Sequence, residues 1–403
     1  PLRHTPLHDE HATYGGAMEP MGIWVRPRFY RDHGQEAASA AIAEARRVRA
    51  SGGICDCSTL GKLQVAGPAA AAFLDELYVS RVSTLAVGRS AYRVMMREDG
   101  MVLDDGLVVR EAPDRFVLTT SSSHGQHVLS HLEHHLALHR HDRRVAIADL
   151  TDRWAVIAVA GPRSLAGVLA ALGNAPDEAR AAVAALAPMA FVDLAAPAPW
   201  PSHEGNLRVL RAGFSGELAY ELHVPPCLAV LLWRALVAAG LSPYGLDALD
   251  ILRVEKGFLT SSEINGQVTP LDLGLEAMLR QGNAFIGRDL LERPAFHEEQ
   301  RPRLVGLRVS PTERELAAGA EQQILATAVY SDGSLRDVSA ARTLGGGRVI
   351  DVDGPRRGPW TPERRAVVAA LDTADDGRAL RGLLATYVPG VDLVRLARLR
   401  NLT

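Results

Sequence analysis

Cysteine is scarce in this chain, with three among 403 residues: Cys55, Cys57 and Cys227. Two of them form a C-x-C pair, a spacing poorly placed for a disulfide or a four-ligand zinc site, so they are expected as buried small residues in a reducing compartment. Excess charge of one sign is also lacking. A formal net charge of -3 leaves no basic footprint for a nucleic-acid backbone. No apolar run approaches the ~20 residues that span a bilayer, and the opening PLRHTPLHDEHATYGGAMEP has no charged region leading into an apolar one. A soluble, cytoplasmic protein that engages neither membrane nor nucleic acid is the expectation. There is no G-x-G-x-x-G opening a β-α unit, no P-loop and no G-x-S-x-G elbow, and LGGG at 344–347 is a weak dinucleotide signal.

What is present reads as an ordinary globular chain, 47% hydrophobic and 23% charged. Its length is too great for one compact core, which predicts two or three domains. Residues 35–50, QEAASAAIAEARRVRA, have strong helix formers at helical spacing and are stopped by SGG. Strand-like GKLQVAG and SAYRVMMRE then flank a helix, GPAAAAFLDELYV, and DDGLVV and DRFVLTTSS form a further strand pair. The same order recurs from residue 151, where TDRWAVIAVAGPRSLAGVLAAL gives strand, Gly-Pro break and helix, followed by the hairpin LRVLRAGFSGELAYELHVP and the helix CLAVLLWRALVAAG. The fold class is α+β, with two related β-α-β-β-α lobes. The polar, Pro-interrupted AFHEEQRPRL marks a boundary, so the expected divisions are 1–150, 151–300 and a β-rich then helical 301–403.

The stretch REDGMVLDDGLVV, residues 97–109, is a turn feeding an apolar strand interrupted by Asp104 and Asp105. Side chains alternate along a strand, so one of the two carboxylates must face inward. There it is paired, solvated or protonated, because an unpartnered buried charge costs several kcal/mol; either a turn-anchoring ion pair or a functional acid satisfies that. Glu217 and Glu221 form a second acidic constellation on the GFSGELAYELHV hairpin. A carboxylate on a rigid strand suits a flat amidine-like edge, as offered by pterins and guanines, although a solvated turn acid and a surface strand residue fit the pattern too. Tyr92 and Phe214 could supply flat stacking faces or simply core. In SHGQHVLSHLEHHLALHRH, the pairs His127/His131, His131/His135 and His135/His139 have i,i+4 spacing, but Val128, Leu129, Leu132, Leu136 and Leu138 make an amphipathic helix whose histidines lie on a solvated face, and no metal is expected.

Together these segments resemble the aminomethyltransferase (glycine cleavage T-protein) superfamily, and most closely the folate-binding C-terminal half of the heterotetrameric sarcosine oxidase alpha subunit. The resemblance is carried, in order over residues 1 to 310, by TPLHDEHATYGGAMEPMGIWVRPRFY, DCSTLGKLQVAGP, SAYRVMMREDGMVLDDGLVV, FSGELAYELHVP, PYGLDALDILRVEKGF and VTPLDLGL. It implies a three-domain ring around a central cleft that holds tetrahydrofolate, with Asp104 as the catalytic acid near the folate nitrogens. Glu221 would grip the pterin, with Glu217, Tyr92, Phe214, Tyr220 and Arg253 completing the cofactor-binding set. The chain departs from the family at Leu249, where an Arg that pairs with the folate tail is usual, and beyond residue 310, where the closing-barrel signature is absent. The activity implied is transfer of a methylene unit between an amine and tetrahydrofolate by way of 5,10-methylenetetrahydrofolate. Alternatives are a tetrahydrofolate-dependent N-, O- or S-demethylase, or a non-catalytic folate-binding or formaldehyde-channelling subunit of a flavoprotein oxidase, which makes a flavoprotein a candidate partner.

Overall fold

The computed structural model describes residues 2–30, 37–139, 144–195, 206–280, 282–298 and 301–304, with short strands at 306–310, 325–329, 335–337, 342–344 and 348–351. The helical part expected at the end of 301–403, ERRAVVAALDTADDGRALRGLLATYV, and the glycines at 345–347 lie outside the described residues. Two compact units are formed. The first comprises residues 1–35, 39–267 and 281–288, and the second 36–38, 268–280 and 289–403. The first unit holds most of both divisions expected at 1–150 and 151–300, while 268–280 and the residues from 289 on fall in the second.

The chain opens with α1 (His8–Thr13), the hairpin of β1 (Gly16–Met21) and β2 (Trp24–Tyr30), α2 (Ala37–Ala50) and β3 (Gly53–Asp56). The first lobe then runs β4 (Gly61–Ala66), α3 (Ala70–Asp75), β5 (Arg89–Met96), β6 (Val102–Ala112), β7 (Arg115–Thr120), α4 (Gly125–His139) and β8 (Ala146–Asp149). The second follows as β9 (Ala155–Ala160), α5 (Ser164–Ala171), α6 (Asp177–Ala184), β10 (Phe191–Ala195), β11 (Asn206–Leu210), β12 (Ala219–Val224), α7 (Pro226–Ala238) and β13 (Ser242–Pro243), with α8 (Leu246–Lys256) after it.

The sheets have strand orders β5-β6-β7-β4-β8 and β10-β11-β12-β9-β3-β13. In each, a three-stranded meander returns beside the lobe's first strand, and the lobe's last strand lies on that strand's far side. The two sheets repeat the expected order, but the second repeat adds β10 to the two-stranded hairpin expected there, so that both repeats place three strands between their helices, and β3 is wedged into the second sheet between β9 and β13.

Each sheet buries one face under its helices. In the second, Ile157 and Val159 of β9 and Tyr220, Leu222 and Val224 of β12 pack against Val168 of α5 and Trp233 of α7. In the first, Leu63, Val65, Val108 and Leu118 meet Phe73 of α3 and Val128 and Leu132 of α4. Period-two alternation then sends the intervening residues of each strand to the opposite face. Helix ends follow ordinary chemistry: α7 starts with Pro226 in its first turn, and α8 ends at Gly257, whose φ of +88° lets both Gly257 and Phe258 donate N–H groups to the Arg253 carbonyl. In the second unit, Asp272 accepts the Thr269 backbone N–H at 2.7 Å and is clamped by Arg301 at 2.6 Å.

Candidate functional site

Residues 97–109 fold as the hairpin their sequence predicts. Gly100 takes a φ of +85°, the Arg97 N–H donates to the Met101 carbonyl at 2.9 Å, and Asp99 Oδ1 accepts the Met101 N–H at 3.1 Å. On β6, Asp104 and Asp105 sit opposite Met95 and Val94, and the register slips at Leu103, a bulge that re-aims the residues beside it. Gly106 completes the arrangement. A Cβ there would lie 2.0 Å from the Thr119 carbonyl oxygen, so β7 comes this close only because the side chain is missing. Leu107 donates its N–H to Thr119 Oγ1 at 2.8 Å, and ladder pairing of β6 with β7 begins only at Val108 and Leu118.

The two adjacent carboxylates have different surroundings. Asp104 is 2% exposed. Its Oδ2 accepts the Ser121 N–H at 2.9 Å and its Oδ1 accepts Nδ1–H of His124 at 3.0 Å. Asp105 is half-buried on the other face, where its Oδ2 accepts the Tyr92 hydroxyl at 2.8 Å. Burial pushes the Asp105 carboxyl up to about 7; the Tyr92 hydrogen bond opposes this, and the charges of Asp104 and Glu263 add to it. The hydrogen bond to Asp104 raises the pKa of His124 against the opposing effect of burial.

On β12, Glu221 and His223 point away from the core, with His223 Nε2 3.4 Å from Glu221 Oε2. Among the described residues this weak contact is the one hydrogen bond made by the Glu221 carboxylate. Burial lowers the pKa of His223 and raises that of the Tyr244 hydroxyl, to which the charge of Glu221 adds a smaller contribution. Glu217 is ion-paired with Arg49 at 2.6 Å, and Arg49 also contacts Glu255. Phe214 stacks on Phe258, ring centroids 5.4 Å apart.

Two expected cofactor contacts have other positions. Tyr220 is 1% exposed in the hydrophobic core, because it is one residue from Glu221 and strand alternation turns it to the opposite face. Arg253 is 3% exposed, with Nη1 donating to both Glu263 oxygens at 2.8 Å and Nε donating to Asp250 at 2.7 Å, so its guanidinium is spent inside the fold. Glu263 also adds its charge to Asp105, and Arg253 Nη1 donates to the carbonyl of Phe258, which stacks on Phe214.

Sequence reasoning missed a buried relay at the N-terminus. Asp56 Oδ2 accepts from Thr5 Oγ1 at 2.6 Å and His11 Nε2 at 3.0 Å, and the Tyr30 hydroxyl meets His11 Nδ1 at 2.9 Å. Burial disfavours the charged Asp56, but hydrogen bonds from His11, Ser58 and Thr5 outweigh it and hold the carboxyl well below the usual carboxylate range. His124 was visible only as one histidine of a run; nothing in sequence spacing joins it to Asp104. Of the other histidines, His135 lies 3.3 Å from Glu76, and no group of three His, Cys, Asp or Glu side chains converges for a metal among the described residues. Cys55 is buried and Cys57 half-buried as expected, but Cys227 is exposed because it falls on the outer face of the first turn of α7. Among the described residues no helix is long and apolar enough to cross a membrane.

These segments, from the N-terminal hairpin through the second lobe, are those covered by one family model, the GCVT N-terminal domain, which matches residues 7–282. The chain belongs to the GCVT family. It is 35% identical over 338 residues to the sarcosine oxidase subunit alpha of Corynebacterium sp. (strain U-96), covering 83% of this chain and 34% of that protein. An aminomethyltransferase of Streptomyces coelicolor is 33% identical over 334 residues, covering 79% of this chain and 83% of that protein. The chain thus spans about a third of the sarcosine oxidase subunits it matches and most of the aminomethyltransferase. The crystal structure of glycine cleavage system aminomethyltransferase T from Bartonella henselae shares the GCVT fold at a TM-score of 0.65 and 23% identity, over 83% of this chain and 89% of that one. The mixed α+β architecture is the family's.

Proposed function

We propose that this GCVT chain is a tetrahydrofolate-dependent one-carbon transferase that moves a formaldehyde-level carbon between an amine and tetrahydrofolate, giving or consuming 5,10-methylenetetrahydrofolate. The observation that carries the reading is Asp105: a half-buried carboxyl fixed by Tyr92, with no cation paired to it among the described residues, titrating near neutrality. A group so placed can hold a proton or give it up at working pH, and its anion stabilises positive charge on a nearby iminium carbon or nitrogen. Asp104, expected from the sequence to fill this role, has both oxygens engaged by Ser121 and His124 and is the less available acid.

Tetrahydrofolate, when bound, supplies nucleophilic ring and anilino nitrogens that accept carbon at this oxidation level. The residues fit it at Glu221, a strand carboxylate with one weak partner, which can accept two parallel hydrogen bonds from a pterin amidine edge. Phe214, already stacked on Phe258, offers an aromatic wall, and Tyr92 aims its hydroxyl at Asp105. Glu217, neutralised by Arg49, would shape that wall without gripping the ring. Similarity to sarcosine oxidase alpha subunits supports a flavoprotein partner as the source of the carbon.

Calorimetric titration of tetrahydrofolate into the wild type, Asp105→Asn and Glu221→Ala tests the reading. Binding by wild type and Asp105→Asn, with loss in Glu221→Ala, is the expected result. No binding by the wild type at millimolar folate overturns it.

A further inference from the structure

Transfer of one carbon from an amine iminium to tetrahydrofolate moves two protons. The carbon–nitrogen double bond of the donor is replaced by two single bonds to folate nitrogens, and the two hydrogens those nitrogens lose leave on the departing amine as an ammonium ion. Charge and atoms balance without an oxidant. Asp105 can serve one of these transfers, which leaves the other without a carrier.

Across β6 from it, bonded to Asp104, stands an imidazole held in one orientation. His124 lies at the start of α4, where its backbone N–H donates to the Ser121 carbonyl at 3.0 Å. The turn is fixed from two sides: Ser122 Oγ is 2.7 Å from Thr59 Oγ1, and Gly125 packs so tightly on Gly61 that a Cβ on Gly61 would lie 3.1 Å from its Cα. Asp104, buried and anchored by the Ser121 N–H, accepts a 3.0 Å hydrogen bond from Nδ1–H of His124. A carboxylate only accepts, so this bond fixes the tautomer and leaves Nε2 as the free nitrogen, on a side chain that keeps 25% of its surface exposed. The charge of Asp105 also reaches the ring.

We propose that His124 is a second acid–base group of this site, with Asp104 as its positioning residue. The inference rests on the transferase reading above. Proton exchange at a reacting nitrogen is the chemistry assigned to Nε2, and tautomer control is the work assigned to Asp104, the division of labour seen wherever a buried acid orients a histidine.

The test uses the full chain with labelled histidine, and formaldehyde plus methylamine as carbon donor to tetrahydrofolate. In the wild type the His124 ring is expected to titrate above the ordinary histidine value, and in Asp104→Asn it falls back, because an amide N–H facing Nδ1 forces the other tautomer. His124→Gln, which can still donate to Asp104 and so keeps the fold, is expected to bind tetrahydrofolate within about twofold of wild type and to lose about 10²-fold in kcat. The His124→Gln/Asp104→Asn double variant is expected to be no worse, since the two act as a unit. Wild-type kcat and pH profile in His124→Gln, while folate still binds, overturns this proposal alone, as does a ring whose titration ignores Asp104. A wild type that binds no tetrahydrofolate overturns both this proposal and the reading it rests on.

Discussion

At the scale of the residue, the pair Asp104-Asp105 shows how one-residue differences in placement assign chemistry. The anchored acid is paired, and the acid whose charge is disfavoured by burial and by the carboxylates of Asp104 and Glu263 is the one pushed to about 7. Because the folded state raises the Asp105 pKa, folding binds its proton; that contribution is complete below pH ~4, the unfolded carboxyl range, and is lost as pH rises through 7. Asp105→Asn removes the loss. Relative to wild type, its Tm is expected to be higher at pH 8 than at pH 5, by roughly 2–4 °C for each kcal/mol recovered, while one-carbon transfer falls about 10²-fold or more. Calorimetric scans at the two pH values check the first, and an unchanged difference between them refutes it. Alternation alone correctly put one acid inside. It could not show which acid had a partner, because Ser121 and His124 reach Asp104 through the fold rather than along the strand. Tyr220 failed as a cofactor contact for a related reason: a hairpin read as a unit hides that adjacent residues face opposite sides.

At the scale of the element, glycines and one buried glutamate hold the strands and helices in register. Gly106→Ala forces a methyl group against the Thr119 carbonyl, so it is expected to cost about 1–3 kcal/mol and to disturb Asp105 along with the β6–β7 junction. Denaturant unfolding gives the cost, and a wild-type midpoint rejects the close-approach account. Glu44 on α2 ties two other elements, accepting the Tyr30 N–H at the end of β2 at 2.6 Å and the Gly245 N–H ahead of α8 at 2.7 Å. Glu44→Ala orphans both donors, and each buried unpaired N–H costs about 1–3 kcal/mol, so a large drop in Tm is expected. Burial has raised this carboxyl to about 7, against the two backbone hydrogen bonds, so the wild type is expected to lose stability as pH climbs toward 7. Helix and strand identities, the 97–101 turn and the duplicated order were legible because each depends on local spacing and turn chemistry. The membership of β3 in the second sheet was not, since a four-residue buried strand carries no mark of which distant strand it will pair with.

At the scale of the whole molecule, the first unit holds every residue assigned here to proton handling and pterin contact, from Tyr92 and Asp105 to Glu221 and Phe258. All of these lie within the span matched by the family model. The chain covers 34% of a sarcosine oxidase alpha subunit but 83% of an aminomethyltransferase, so the chemistry and the supply of carbon are posed as separate questions. If the acid–base set is complete in this chain, a donor made in solution suffices for transfer, and a flavoprotein partner alters only how carbon arrives. The isolated chain is then expected to reach the same kcat with and without such a partner when formaldehyde and methylamine are saturating. With the partner generating the carbon and semicarbazide present to trap free formaldehyde, only a channelled complex continues to form product. Transfer by the isolated chain that the trap abolishes, and that the partner restores, assigns catalysis to this chain and delivery to its partner. No transfer from the solution donor, with folate bound, places a missing catalytic group outside the first unit and refutes the completeness of the Asp105–His124 set.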